Sequence, residues 1–394
     1  MSMAIYSLTI EYYCKPLLIM IYFKPMKKYL IISMLFFPML ILAKPLPKPL
    51  RGIYINPYAC YNISYINKLM DSMNRYNLNA VIIDVKADNG IIPFIANDKR
   101  LRKASKNIYN LDKIVNILHK NKFIIIGRIV TFKDNIRANE NNGEYAVINK
   151  YTKKPWKDSG GTYWVDPYNI DNWDYNICVA NEVLSRGFDS VQFDYVRFPS
   201  DGDIGKCAYP SRIGNYYYSD IIEIFLYYAK YHLKEYDIGV DVFGYLPWLK
   251  RIINIGQDMS MITKQADIVS PMLYPSHFGN RFLLDSTSNY FRRTHDIIYQ
   301  SLLKSDEYIK NDSSKRIIPF IQSFTYKASK MGKFYVENQV AAALKYGDGS
   351  FFVWNAESNY KMLWKALYKL EIIRNKEKVL NFKALKENLL DETS

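Results

Sequence analysis

The stretch Val191–Gly202, VQFDYVRFPSDG, decides how the rest of the chain is read. It begins as a buried strand in which Val191, Phe193, Tyr195 and Phe198 supply bulk. Gln192 and Asp194 interrupt that run on one alternating face, because side chains two apart on a strand point the same way. The run then breaks at Pro199 into a Ser-Asp-Gly turn. An apolar strand, a carboxylate near its end and a polar loop beyond it are how a parallel α/β protein presents a reactive group at the carboxyl edge of its sheet. Taken alone, the stretch suits an aspartate that only caps a loop just as well.

Working outward, the same rhythm repeats from Arg51 onward: apolar strand, polar break, amphipathic helix. Strands are expected at Gly52–Tyr58, Ala80–Ala87, Phe123–Val130, Ser190–Phe198, Ile238–Tyr245, Asp267–Tyr274, Ile317–Phe324 and Ser350–Asn355. Helical patterns lie near Ser64–Tyr76, Leu111–Lys120, Asp171–Arg186, Tyr217–Glu235, Asp258–Lys264, Asn289–Lys304, Gly332–Tyr346 and Asn359–Arg374. Gly187 and Gly347 follow two of these where a helix stop is expected. Eight near-continuous apolar strands alternating with eight helices predict an α/β fold of the closed parallel type. That fold is a (β/α)8 TIM barrel, one domain over residues 51–370 with long βα loops. A doubly wound open sheet is the alternative, and it rarely runs to eight such repeats. Residues 371–394, rich in Lys and Glu, read as a helical extension or a frayed end.

Upstream of the barrel, Met26-Lys27-Lys28, the apolar run Tyr29–Leu42 and Ala43 have the order of a secretory signal, so residues 1–43 are read as a signal peptide. Residues 1–25 then look like a start-site extension. The expected location is outside the cytoplasm, periplasmic or extracellular. The alternative is membrane anchoring through an uncleaved segment, because Ile41 is a poor cleavage residue and the apolar run is of marginal length. Of the net charge of +15, four lysines and one glutamate before Lys44 account for three, leaving +12 on the 351 residues that follow. A basic exported chain suits an anionic cell-envelope polymer as partner, although a general Lys, Asn, Ile and Tyr bias explains the charge as well. No basic cluster with interleaved aromatics marks a nucleic-acid surface. Cys60, Cys178 and Cys207 are neither a disulfide framework nor a metal knuckle by spacing, and one bridge among them is open.

The expected strand ends are unusually polar. They offer Asn56, then Asp84, Lys86 and Asp88 on one face of the second strand, then Arg128, Gln192 and Asp194. Arg197 follows on the same strand, and Asp241, His277, Gln322, Asn355 and Glu357 on or just past later ones. A barrel that served only as scaffold would fill with Val, Ile and Leu, so this polarity at one rim is costly unless it binds something. Asp84 and Lys86 are expected to pair inside the barrel, as a structural device more than a catalytic one. Tyr195, Tyr245, Trp248, Tyr274, Phe278 and Trp354 cluster at the same edge, and sugar rings stack on aromatic faces while their hydroxyls seek polar partners. Four histidines, of which only His277 lies at a strand end, and no H-E-x-x-H predict no metal site. No Rossmann or phosphate loop and no G-x-S-x-G elbow are present, so no cofactor is expected and carboxylate chemistry remains.

VQFDYVRFPSDG, followed by VDVFGY (Val240–Tyr245) and SPMLYPSHF (Ser270–Phe278), resembles the bacterial putative glycoside hydrolase domain family. These are exported TIM-barrel proteins distantly similar to α-amylase-type glycosidases. RGIYIN (Arg51–Asn56), IIDVKADNG (Ile82–Gly90), the IQSF run (Ile321–Phe324) and VWNAES (Val353–Ser358) fit the same pattern in the same order. The resemblance implies the fold and glycoside hydrolase chemistry, with Asp194 as nucleophile and Asp241 as acid/base; the aromatic and polar rim makes a polysaccharide or oligosaccharide the expected substrate. The amylase-type relatives carry Glu in the acid/base role, so Glu357 is the substitute for Asp241. The alternative is a catalytically inactive carbohydrate-binding barrel of the cell envelope. If Asp194 and Asp241 face one cleft from neighbouring strands, a retaining outcome is expected.

Overall fold

The computed structural model describes residues 45–283, 290–328 and 334–372. The segment read as a signal peptide and most of the C-terminal tail lie outside these residues. Eight parallel strands form one closed sheet. They are β1 (Arg51–Ile55), β2 (Ala80–Lys86), β3 (Ile124–Val130), β4 (Ser190–Asp194), β5 (Ile238–Phe243), β6 (Ile268–Leu273), β7 (Arg316–Ile317 and Phe320–Gln322) and β8 (Phe351–Trp354). Neighbours pair in sequence order, and β8 returns to β1 through Arg51↔Phe351, Gly52↔Phe352 and Ile53↔Val353. Eight helices alternate with them: α1 (Ile63–Arg75), α2 (Leu111–Lys120), α3 (Ile170–Ser185), α4 (Tyr218–His232), α5 (Met259–Gln265), α6 (Tyr290–Asp306), α7 (Tyr335–Leu344) and α8 (361–372). This is the (β/α)8 barrel expected from the sequence rhythm.

The Ile/Val runs explain both the strands and the two separate cores. Successive side chains alternate across a strand, so one strand feeds two clusters. Ile53, Val81, Ile83, Ile125, Val191 and Val240 point outward and pack under the helices. Ala80, Ile82, Ile126, Ile268, Phe320 and Phe352 point inward and fill the lumen, joined from the N-terminal side by Leu46 and Leu50. The lumen is a packed core, as small parallel barrels require.

Three strands are shorter than expected, each for a local reason. β1 stops at Ile55 because Asn56 caps a short helix, Pro57–Tyr61, by accepting the Ala59 N–H. β4 stops at Asp194 because Tyr195 adopts φ 52°, a left-handed conformation that a strand cannot hold. β7 is interrupted at Pro319, between its two pieces, since proline has no N–H for the ladder. The longest excursions follow β2, β3 and β4, all at the carboxyl edge. The one after β3 is pinned by Lys133–Asp158 (3.0 Å) and by the buried Trp164, whose Nε1–H reaches Asp158 Oδ2 at 3.0 Å.

Candidate active site

The inward-facing positions at the carboxyl ends of the strands converge on one guanidinium. Arg128 of β3 reaches Asp84 Oδ1 of β2 at 2.7 Å through Nη1. Its Nε and Nη2 reach Asp194 Oδ2 of β4 at 2.9 and 2.5 Å. The register makes these neighbours, since Asp84 pairs with Arg128 and Arg128 with Gln192, two residues before Asp194. The Tyr54 hydroxyl donates to Asp84 Oδ2 at 2.7 Å, and Trp354 of β8 stacks on Tyr54 with its ring 4.8 Å from the Arg128 guanidinium carbon. Burial alone would lower Arg128, but the two carboxylates outweigh it and hold the cation well above its usual value. Burial raises Asp84, and Arg128 and the Tyr54 hydroxyl only partly oppose it.

Asp194 and Asp241 occupy adjacent strands and opposite electrostatic settings. β4 and β5 pair through Gln192↔Gly239 and Phe193↔Val240, so Asp194 and Asp241 stand side by side one step further along. Asp194 accepts from Arg128 on Oδ2 and from the Tyr195 amide on Oδ1 at 2.6 Å. Among the described residues Asp241 has no cation within 4.0 Å, and Arg128 acts on it only from farther off; Gln192 Nε2 donates to its Oδ1 at 2.8 Å. Burial, then the Asp194 charge, hold the Asp241 carboxyl well above the ordinary carboxylate range. Gly239 makes this arrangement possible, because a Cβ there would lie 1.8 Å from Gln192 Oε1.

Both carboxyls line a cavity of about 410 Å³ with Arg128, Tyr195, Arg197, Tyr245, Tyr274, His277 and Trp354, all named from the sequence. Phe243, Met272 and Phe320, not named there, complete its apolar walls. Strand alternation from Asp241 to Phe243 and from Ser270 to Met272 is the signal that could have found the first two. Burial, then Lys327, lower His277 and favour the neutral imidazole.

The other candidates fall elsewhere. Lys86 does not pair with Asp84. A register shift between the two turns it out of the lumen, where its Nζ meets Asp134 at 2.8 Å and the Val130 carbonyl at 2.5 Å. The expectation assumed unbroken alternation, and a bulge redirects the side chain that follows it. Asn56 and Asn355 spend their side chains on backbone, their amides donating to the Ala356 and Ser323 carbonyls, and Gln322 bonds the Ser276 N–H and the Phe324 and Tyr326 carbonyls. Trp248 packs on Phe282 and donates to Ser301 Oγ at 2.7 Å. Asp88 and Glu357 are exposed and off the cavity wall. Cys60, Cys178 and Cys207 are all free thiols.

The model of a family described as a putative glycosyl hydrolase domain matches residues 52–360. The chain belongs to this family. Among solved structures, a hypothetical protein from Ruminiclostridium thermocellum ATCC 27405 is 33% identical, covering 48% of this chain and 97% of its own, with TM-score 0.45. The glycoside hydrolase domain of PgaB (BpsB) from Bordetella bronchiseptica is 12% identical over 82% of this chain and 98% of its own, with TM-score 0.58. That likeness is one of fold and agrees with the barrel. No curated protein matches the chain. As a glycosyl hydrolase domain of this family, the chain has a glycosidase-like character, and its matched span runs from the second residue of β1 to the residue just before α8.

Proposed function

We propose that this glycosyl hydrolase domain cleaves a polysaccharide with retention of configuration, Asp194 acting as nucleophile and Asp241 as acid/base. The carrying observation is that two carboxyls on adjacent strands line one cavity, one held by a guanidinium and the other buried with no direct ion pair among the described residues. Environments that push two carboxyls apart assign the acid and the nucleophile. Adjacent strands lie about 4.8 Å apart, which suits the roughly 5–5.5 Å carboxyl separation of retaining enzymes.

In the first step Asp194 Oδ1 attacks the anomeric carbon, the glycosidic C–O bond breaks, and the Asp241 proton passes to the departing oxygen. In the second, water attacks the same carbon, Asp241 takes its proton, and the ester bond to Asp194 breaks. Trp354, Tyr245 and Tyr195 offer faces for sugar rings. Glu357, exposed outside the cavity, favours the Asp194–Asp241 pair over an inverting one. The N-terminal signal pattern supports action outside the cytoplasm. A silent carbohydrate-binding barrel is the second reading, favoured by the three donors that already occupy Asp194.

The test is reducing-end release from a panel of bacterial wall and capsule polysaccharides, with the anomer of the first product followed by NMR. Retention and a dead Asp194→Asn variant are expected. An inverted product removes Asp194 from the nucleophile role, and sugar binding without turnover by the wild type establishes the second reading.

A further inference from the structure

Arg197, three residues beyond Asp194, is unlike the other arginine of the cavity. It is 9% exposed and lines the same cavity wall as Asp194 and Asp241. Three aromatic rings enclose it, those of Trp164, Tyr195 and Phe243, each with its centroid 4.8 Å from the guanidinium carbon. Its two hydrogen bonds, to the Phe198 carbonyl and to Ser200 Oγ, both 3.1 Å, come from Nη1 alone. Among the described residues no carboxylate lies within 4.0 Å of it, whereas Arg128 holds two. The Nε and Nη2 hydrogens, the parallel fork that matches a carboxylate, have no acceptor among the described residues.

A buried cation without a counter-ion is costly, and is retained where a ligand supplies the missing charge. Asp194, Asp201 and Asp158 act on it only from beyond 4.0 Å, and the Asp194 oxygens are already engaged, Oδ2 by Arg128 and Oδ1 by the Tyr195 amide. The rings supply cation–π contacts but no hydrogen-bond acceptor, so Nε and Nη2 remain for a ligand. The fork also sits on a firm base. Trp164 is fixed by its bond to Asp158, and Lys133 holds Asp158 in turn.

From this arrangement we infer that the sugar bound in the cavity carries a carboxylate, as a uronic acid does, received by the Nε/Nη2 edge of Arg197. Arg197 is thus a specificity-determining residue, and the substrate class is an acidic polysaccharide. The inference rests on the glycosidase reading for turnover, though the carboxylate contact itself is a matter of binding.

Two measurements separate the two ideas. The first compares reducing-end release from uronate-containing polysaccharides, from the same polymers after chemical reduction of their carboxyls, and from neutral and sulfated polymers. The second measures binding of oligouronides to the Asp194→Asn protein by calorimetry. Cleavage confined to the unreduced acidic polymers is expected. Arg197→Gln should raise KM for them by about tenfold to hundredfold, the loss of a charge-assisted bond, with a smaller change in kcat. Arg197→Lys, which keeps the charge and loses the fork, should fall between, and guards against a folding defect in Arg197→Gln. Oligouronide binding that depends on Arg197, with no cleavage of any polymer, would uphold the carboxylate site and end the hydrolase reading. Equal cleavage of reduced and unreduced polymers, cleavage of sulfated or neutral polymers alone, or no oligouronide binding would overturn the inference.

Discussion

At the scale of single residues, Asp241 shows how function sets itself against stability. Its folded-state carboxyl titrates well above the ordinary range, first through burial and then through the neighbouring Asp194. In the unfolded chain the same group ionises near pH 3.9. The unfolded state therefore loses its proton first, and stability falls as pH rises from the ordinary carboxylate pKa toward the raised one. Asp241→Asn keeps an oxygen to accept the Gln192 amide and removes the charge. Its melting temperature should exceed that of the wild type at pH 7 and match it near pH 3, while turnover is lost. Equal melting curves across that range would show Asp241 to be unperturbed. Arg197 carries the companion cost, a cation among rings with no carboxylate within 4.0 Å among the described residues.

At the scale of elements, one buried acid ties a long loop to the barrel and another ties two long loops to each other. Lys86 and Asp134, both essentially inaccessible, join the end of β2 to the start of the loop after β3. Removing one partner strands the other at a cost of about 3–5 kcal/mol. Lys86→Met should show that loss in chemical denaturation, and adding Asp134→Asn should recover part of it, since Asn retains the acceptor for the Ile136 and Arg137 amides. A fully stable Lys86→Met protein would place Lys86 outside the supporting framework. Asp166 links the loops after β3 and β4 by accepting from Tyr168 N–H and Ser211 N–H, each at 2.9 Å. Burial raises its pKa from 3.8 to about 6. Stability is thus lost as pH rises through that window, by up to about 3 kcal/mol. Asp166→Asn should flatten this slope between pH 4 and 6; an unchanged slope assigns the titration to another group.

At the scale of the whole molecule, the barrel has a reactive end and a sealed end. The carboxyl edge holds the charges and the cavity, while Leu46 and Leu50 close the lumen below against Ala80, Ile82 and Ile268. Leu50 is fully buried, so Leu50→Ala should cost about 2–5 kcal/mol through lost contact and a cavity. The loss should appear in the denaturation midpoint with an unchanged kcat, because the site lies at the other end of the strands. A variant that lost activity at full stability would show the two ends to be coupled.

The sequence by itself determined the architecture, because strand and helix periods are local properties. Runs such as AVIIDVK and IIIGRIV bury both faces, and only a parallel sheet wrapped in helices accommodates eight of them. It also placed Asp194, Asp241 and Arg128 at one edge, since a strand's end and a side chain's parity can be counted along the chain. Arg197 lies near that edge by position but, three residues from Asp194, has the opposite parity, and it lines the cavity because Tyr195 leaves the strand conformation. Which of those groups meet was decided by tertiary structure. Lys86 lies two residues from Asp84, yet a bulge sends it to Asp134, forty-eight positions away. Asn56, Gln322 and Asn355 look like site residues in the sequence, but loop backbone consumes their side chains. Glu357 shares the edge with the aspartates but faces solvent. Pairing depends on register, bulges and burial, which are long-range quantities. A chain read in one dimension shows where a charge begins and not which partner relieves it.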